Sequence, residues 1–473
     1  MPEDDPARRT RALPVDTLGM TEEEMRRLGH RVVDMVVDRI CARDKEPAVL
    51  TGRPAELMGA LGGPLPEAPG SADEALDLLA SVALAHQQHG DHPRYFARVP
   101  GPSSFGAVLG DWLGVGFNTI ATSWVGGSGP TTVELVVLAW IREFLGMPAD
   151  GEGILTSGGS MANLTALAAA TVSVGRGRVY LTDQAHSSIG RALKLLGYGA
   201  DDLCTRETDA SFRLPIPALT AALDQDTRDG RRPTIVIASA GTTNTGAVDP
   251  LEQLAELTSA KGLWFHVDGA YGATAAAVPS ARPLLRGLPR ADSLVIDPHK
   301  WLFQPYDLGC TLIRQNGLLE QTFSMTPEYL RDTAGHAGEA RLGDRGPALT
   351  RRSRALKLWM TFRTYGAERV RQAIARGIAL GEHAERVLRD QRKTFDVVTA
   401  AQLGIVTFAL KRPSAEEHSR MARELTDSGL ATLTTTTLKG TSALRLCIMN
   451  PLTTERDLEE TIGFLARVAR PGA

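Results

Sequence analysis

Aromatic side chains are scarce here, at 5% of the chain, and there are only four cysteines, Cys41, Cys204, Cys310 and Cys447. They stand far apart, with no C-x-x-C pair and no metal-ligand spacing. That excludes a disulfide framework or structural zinc site and leaves reduced thiols, with no metal expected. No excess of positive charge exists either. Against 55 Asp+Glu there are 52 Lys+Arg, a net charge of −3, so nothing argues for nucleic acid or a membrane surface as partner. No apolar run is long enough to cross a bilayer. The opening residues, among them Glu3, Asp4 and Asp5, lack the apolar core of a signal peptide, and a cytoplasmic protein is expected.

What is present is ordinary globular material: 473 residues, 43% hydrophobic and 23% charged, with 47 glycines. This length accommodates two or three domains. Thr21 followed by three glutamates reads as a helix start, and Met25, Leu28, Val32, Met35 and Val36 recur at helical spacing. With a second helix in 71–88, residues 1–88 read as a helical arm. From about 89 the pattern changes. Short apolar runs at Gly153–Thr156, Val179–Thr182, Thr234–Ser239, Leu263–Asp268, Ser293–Ile296 and Gly309–Arg314 alternate with helical segments. Such alternation predicts an α/β domain on a mainly parallel sheet over 89–352, whose functional residues gather at the carboxyl ends of the strands. Residues 330–352, rich in glycine and charge, read as a lid loop. Helices over Ala355–Tyr365 and Val370–Gln391, strands at Gly404–Leu410 and Leu444–Ile448, and a closing helix over Thr454–Arg467 predict a small α+β domain over 353–473.

Every segment with chemical promise follows one of the strand-like runs. Lys300, in Asp297-Pro298-His299-Lys300-Trp301, ends one of them, and a desolvated lysine favours the neutral amine that forms imines. Alone it reads equally as a surface lysine. Asp268 ends the preceding run and precedes Gly269-Ala270-Tyr271, where a carboxylate among small residues can hold a proton on a flat ring; the bland reading is a helix cap. Ser157-Gly158-Gly159-Ser160 opens a small-residue helix, and Gly241-Thr242-Thr243 offers another hydroxyl; both suit a phosphate. His186, in Asp183-Gln184-Ala185-His186-Ser187-Ser188, is a candidate to stack on a ring, or an ordinary loop histidine. A lysine, an acid, a phosphate cradle and a flat side chain are what pyridoxal phosphate (PLP) requires.

Taken together, these segments resemble the PLP-dependent group II decarboxylases, the aromatic-amino-acid and glutamate decarboxylase family of fold type I. The resemblance spans residues 20–465. It is carried by His92-Pro93, Thr122-Ser123-Trp124, Thr182–Ser188, Gly241–Thr243, His266–Tyr271, Asp297–Leu302 and Arg354–Trp359. It implies the fold type I transferase fold, decarboxylation of a small-molecule L-amino acid to an amine, and a homodimer with sites at the interface and a swapped N-terminal arm. Among the residues, it implies that Lys300 forms the Schiff base, that Asp268 pairs with the pyridine nitrogen and that His186 stacks on the ring. It further implies that Gly159, Ser160 and Thr243 hold phosphate, that Ala270 packs under the ring, and that His299 adjoins the cofactor. Asp297 stands where aromatic members often carry asparagine.

Two departures bear on the reaction. The family's loop tyrosine, which gives a proton to the substrate carbon once carbon dioxide leaves, belongs after Pro327-Glu328-Tyr329-Leu330, near Arg341 or Leu342. Residues 331–352 contain neither tyrosine nor phenylalanine. His336, His186 or a partner residue would replace it, or oxygen would intercept the carbanion and an aldehyde would form. The pocket also differs: Arg98, Val99 and Thr122, beside Trp124, stand where aromatic members carry larger walls, favouring a polar distal group over an aromatic one. Outside this chemistry, an aminotransferase shares the same anchors, a cysteine desulfurase lacks its loop cysteine, and a non-catalytic PLP-fold protein would not need Lys300, Asp268 and His186 together.

Overall fold

The computed structural model describes residues 18–325, 338–412 and 414–469. The chain divides into two compact units, Met1–Gln88 and His89–Ala473.

The first unit is helical: α1 (Glu22–Ala42), α2 (Pro54–Leu61) and α3 (Ala72–Leu78), the last running on into a π-helical turn at Leu79–Leu84. Thr21 caps α1 by accepting from Glu24 N–H, and Glu22, Glu23 and Glu24 face the positive end of the helix dipole. Arg27 forks onto Asp73 at 2.9 and 2.7 Å, and Arg31 joins Asp73 and Asp77. Among its described residues only Leu28 and Ala48 are buried, so this unit has little core of its own.

In the second unit, α4 (Phe105–Gly116) and α5 (Trp124–Leu145) lead into a seven-stranded sheet. Its strands are β1 (Glu152–Thr156), β2 (Arg178–Thr182), β3 (Leu203–Arg206), β4 (Pro233–Ser239), β5 (Trp264–Asp268), β6 (Ser293–Ile296) and β7 (Gly309–Ile313). Their order is β1-β7-β6-β5-β4-β2-β3, with β7 antiparallel to both neighbours and the other pairings parallel. The crossovers carry α6 (Gly159–Val174), α7 (Ser187–Leu195), α8 (Ile216–Arg228) and α9 (Leu251–Lys261), while α10 (Pro298–Trp301) and α11 (Leu318–Phe323) flank β7. Both faces are covered, which is why β4 and β5 read as unbroken apolar runs. Successive residues go to opposite cores: Val236 and Ala238 to one, Ile235 and Ile237 to the other.

After the sheet, α12 (Ala355–Asp390) breaks at Gly366, whose φ of 72° suits glycine. The break falls between the two helices expected from sequence. A second, antiparallel sheet of β8 (Phe395–Gln402), β9 (Ile405–Leu410), β10 (Thr434–Leu438) and β11 (Thr441–Cys447) follows in the order β10-β11-β9-β8. With α13 (Ala415–Asp427) and α14 (Glu455–Val468) it encloses a core including Phe408, Leu444, Leu446, Met421 and Ile462. Strands β3, β8 and β10 were not expected. β3 and β8 are edge strands of mixed burial, and β10 is a run of threonines ending in Leu438, so none carries a continuous apolar signal.

Of the expected lid over 330–352, residues 330–337, His336 among them, lie outside the described residues, as does the preceding Pro327-Glu328-Tyr329. The stretch from Arg341 onward is fastened down. Leu342 is fully buried, Gly343 N–H donates to Thr122 O at 2.8 Å, and Thr122 Oγ1 donates to Leu349 O at 2.9 Å. Arg351 donates to Glu134 at 3.0 and 2.7 Å and to the carbonyls of Ala121 and Leu155. No helix among the described residues is long and apolar enough to cross a membrane.

The Glu134–Arg351 pair is buried on both sides, at 0% and 3% side-chain exposure. Removing one partner strands the other charge, so Arg351→Met should lower unfolding free energy by about 3 kcal/mol in denaturant titrations. A loss below about 1 kcal/mol would show that the pair does not hold this segment.

Candidate active site

Parallel pairing sets the site. Ser239 pairs with Asp268, and Asp268 with Val295, so β4, β5 and β6 end level with one another. Just past these ends come Thr243, Ala270 and Lys300, with His186 following β2 and Gly159 following β1. After β6 the chain turns at once into α10, with Asp297 at its N-cap and Pro298 in its first turn, where a missing N–H costs nothing. Trp301 is fully buried and stacks on Tyr271 at 5.0 Å and 15°, which anchors the segment and leaves the neighbouring Lys300 side chain partly exposed. On the other side the chain at Gly101 lies so close that a Cβ there would meet His299 O at 1.9 Å.

Lys300 Nζ lies 3.1 Å from Asp297 Oδ2, and His299 Nε2 lies 3.6 Å from the same oxygen. Asp297 is buried and its Oδ1 has no hydrogen-bond partner. Asp268 is held at both oxygens: Oδ1 accepts from Ala270 N–H at 3.2 Å, and Oδ2 from Asn163 Nδ2 at 3.2 Å. Burial pushes His186 below the ordinary histidine value of 6.5, with Asp268 pulling the other way, and burial lowers His299 likewise. Both rings are therefore neutral near pH 7.

One cavity is lined by Gln184, His186, Thr243, Asp268, Ala270 and Lys300, among others. Gly159 reaches this neighbourhood through Asp297, whose Oδ2 would lie 2.7 Å from a Cβ at Gly159, and Ser160 follows it in α6 as an exposed residue. Gly158, the N-cap of α6, has φ 122° and supplies no side-chain cap, so the opening N–H groups of that helix are left for another acceptor. A lysine, an acceptor carboxylate, a neutral flat ring and an uncapped helix start held clear by glycines fit pyridoxal phosphate.

Gly159, Ser160 and His299 are not among the residues lining this cavity, and neither are the four substrate-side candidates. Thr122 gives its hydroxyl to Leu349 O, Trp124 starts α5 half-buried, and Val99 packs against the larger core. Arg98 is exposed with φ 53°, though its charge bears on Tyr306, which also feels Lys300. A roomier cleft of about 520 Å³ lies between Arg213, Pro250 and Arg286, but has no lysine or histidine in its wall.

Two residues near the site were missed. Tyr306, 61% exposed, lies with its ring 4.9 Å from that of His299; partial desolvation pushes its hydroxyl up while Lys300 pulls it down. Arg445, in β11, is 2% exposed, donates from Nη1 to Arg98 O at 2.5 Å, and keeps Nε and Nη2 buried. Its charge and that of Lys300 both act on the Cys447 thiol. The signal was available: an arginine inside the apolar run Ala443–Cys447 is rare unless something compensates its charge.

Comparison with known proteins identifies the family. The pyridoxal-dependent decarboxylase conserved domain matches residues 54–411. An aromatic-L-amino-acid decarboxylase of Bacillus atrophaeus is 41% identical over 456 residues, covering 94% of this chain and 95% of that one. A phenylacetaldehyde synthase of Arabidopsis thaliana is 32% identical over 465 residues, covering 93% and 95%. The crystal structure of Oryza sativa TDC with PLP and tryptamine superposes with a TM-score of 0.90 at 27% identity, covering 96% of this chain and 99% of that one. The chain belongs to the pyridoxal-dependent decarboxylase family and is a carboxy-lyase whose cofactor is PLP.

Proposed function

We propose that this enzyme removes the α-carboxylate of an aromatic L-amino acid, releasing the amine and carbon dioxide, with Lys300 as the lysine that takes the cofactor's aldehyde. The observation that carries this reading is Lys300, Asp268, His186, Thr243 and Ala270 around one cavity. The 41% identity to an aromatic-L-amino-acid decarboxylase supports the substrate class. The small pocket walls inferred from sequence weigh less against it, since the Thr122 hydroxyl is engaged by Leu349 O and Arg98 is exposed.

Bound PLP supplies an aldehyde for the substrate amine and a protonated ring that draws electrons from the bond to the departing carboxylate. Asp268, an acceptor at both oxygens, would hold the proton of the ring nitrogen. His186, neutral, would stack on one face of the ring, and Ala270, lacking bulk, would allow close approach on the other. Gly159, Ser160 and Thr243 receive the phosphate, and His299 packs beside Lys300. Arg445, a buried cation whose charge reaches Tyr271 in the cavity wall, is the group we assign to the substrate carboxylate. The carbon left by carbon dioxide needs a proton, and Lys300, His186 and Tyr306 are the nearby donors. A second reading has an observation behind it: 331–352 contain no tyrosine, and one relative is a phenylacetaldehyde synthase. In that reading oxygen is the oxidant, reduced to hydrogen peroxide, and with water the substrate yields an aldehyde, carbon dioxide and ammonia.

We also propose a homodimer that covers exposed apolar surface. Phe105, Leu109, Leu113 and Phe117 form a stripe along and just past α4, with Leu113 56% and Phe117 80% exposed. The helical first unit, with almost no core of its own, supports its packing across a partner chain. A cytoplasmic setting suits the four cysteines, none of which is paired.

Purified enzyme should show a cofactor absorption band that Lys300→Ala abolishes, with activity down about a thousandfold or more. Given tryptophan, tyrosine, phenylalanine or glutamate, it should release carbon dioxide from an aromatic substrate without consuming oxygen. Oxygen uptake with ammonia release would favour the aldehyde reading, and turnover of glutamate alone would refute the substrate class. Arg445→Met should raise KM about 10- to 100-fold while leaving inhibition by the product amine, which has no carboxylate, unchanged. Leu113→Glu with Phe117→Glu should convert a dimer to monomer in analytical ultracentrifugation; a wild type already monomeric would refute the dimer.

A further inference from the structure

Asp268 is the end of a chain of buried hydrogen bonds running back through the sheet. Asn163, on α6 and 1% exposed, donates from Nδ2 to Asp268 Oδ2 at 3.2 Å and to Ser188 Oγ at 3.1 Å. Its Oδ1 faces His266 Nε2 at 3.0 Å, and His266 Nδ1 lies 2.7 Å from Ser293 Oγ, which accepts from Trp264 Nε1 at 2.9 Å. At the other end, Ser188 Oγ lies 2.8 Å from His186 Nδ1, which also accepts from Ser188 N–H at 3.2 Å.

The proton positions in this chain follow from what each group can do. The carboxylate of Asp268 only accepts, so the NH2 end of Asn163 must face it and Oδ1 must face His266. His266 then carries its proton on Nε2. Full burial holds His266 down to about 4, so the ring is neutral and its bare Nδ1 accepts from the Ser293 hydroxyl. Both Asn163 hydrogens are engaged, one on Asp268 and one on Ser188 Oγ. The Ser188 hydroxyl hydrogen is thereby directed at His186 Nδ1, and the proton of His186 must sit on Nε2.

We propose that Asn163 is a positioning residue: one side-chain amide orients the acid at the cofactor's ring nitrogen and, through Ser188, sets the tautomer of the stacking histidine. The proposal rests on the roles given above to Asp268 and His186. It links the ring-nitrogen end and one face of the cofactor site to the sheet itself, since Trp264 and His266 lie on β5 and Ser293 on β6. The charged groups bearing on His186 besides Asp268 are Lys300, Asp297 and Arg191. All lie outside the chain of bonds through Ser188, so removing that link alone leaves them in place.

The test uses the holoenzyme and three substitutions, each read by PLP affinity and by the pH profile of kcat/KM, with thermal unfolding as a folding control. Asn163→Leu, close to isosteric, should weaken PLP binding between about 10- and 100-fold, the scale of one hydrogen bond to a charged group. Ser188→Ala should leave PLP affinity at the wild-type value. Having lost a donor that favours the neutral ring, it should move the acidic limb of the profile, where His186 takes up a proton, to higher pH by about half a unit or more. Should Asn163→Leu not fold, the Ser188→Ala limb still decides the proposal. Wild-type PLP affinity in a folded Asn163→Leu, or an unmoved acidic limb in Ser188→Ala, overturns it. Asp268→Asn separates this from failure of the underlying reading: if it too binds PLP normally, the role given to Asp268 is wrong, whereas weak binding there beside normal binding in Asn163→Leu sinks only the role of Asn163.

Discussion

Everything the site does depends on parallel strands that end at one level. Pairing of Ser239 with Asp268, and of Asp268 with Val295, brings residues separated by tens of positions in the chain to one edge of the sheet. At that edge backbone hydrogen bonding stops, side chains are free of the ladder, and α6 begins with N–H groups that have no partner within the helix. The same pairing buries β4 and β5 on both faces, so the groups behind the edge are dry. A lysine beside a buried aspartate, and a carboxylate with both oxygens held, persist there because the surrounding strands leave no alternative arrangement.

Dryness decides protonation. His186, His266 and His299 are all pushed toward the neutral ring by burial, against the pull of Asp268 or Asp297. A neutral imidazole is a flat apolar surface with one donor and one acceptor, which suits stacking and makes its tautomer a matter of which neighbour donates. Arginine cannot escape burial by losing its proton. Arg445 therefore remains charged, with the Arg98 carbonyl and the Cys447 thiol as its hydrogen-bond partners, and Arg351 is tolerated because Glu134 and two carbonyls satisfy it.

How much of this was legible varied with the kind of signal. Strands buried on both faces announced themselves as apolar runs, and the helices at Thr21, Gly366 and Thr454 were marked by capping or helix-breaking residues. The edge strands β3 and β8 and the threonine-rich β10 were not, because their stability comes from neighbours and not from their own composition. The glycine- and charge-rich stretch 330–352 read as a lid loop, yet Leu342 and Arg351 pin its second half into the core. Its few apolar and charged contacts are long-range, and no local pattern encodes them.

By itself the sequence determined which residues end the strands. Lys300, Asp268, His186, Gly159 and Thr243 follow apolar runs, and that order alone, through the geometry of parallel sheets, implies a shared edge. Only the tertiary structure decided what each of these groups touches. It placed Asp297 between Lys300 and the start of α6, turned Thr122 toward Leu349, and brought Arg445 and Tyr306 to the neighbourhood of Lys300. It also joined Asp268 to His186 through Asn163. Strand ends are set by local periodicity, which a linear pattern records. Hydrogen-bond partners are set by distances between distant segments, which exist only once the sheet has formed.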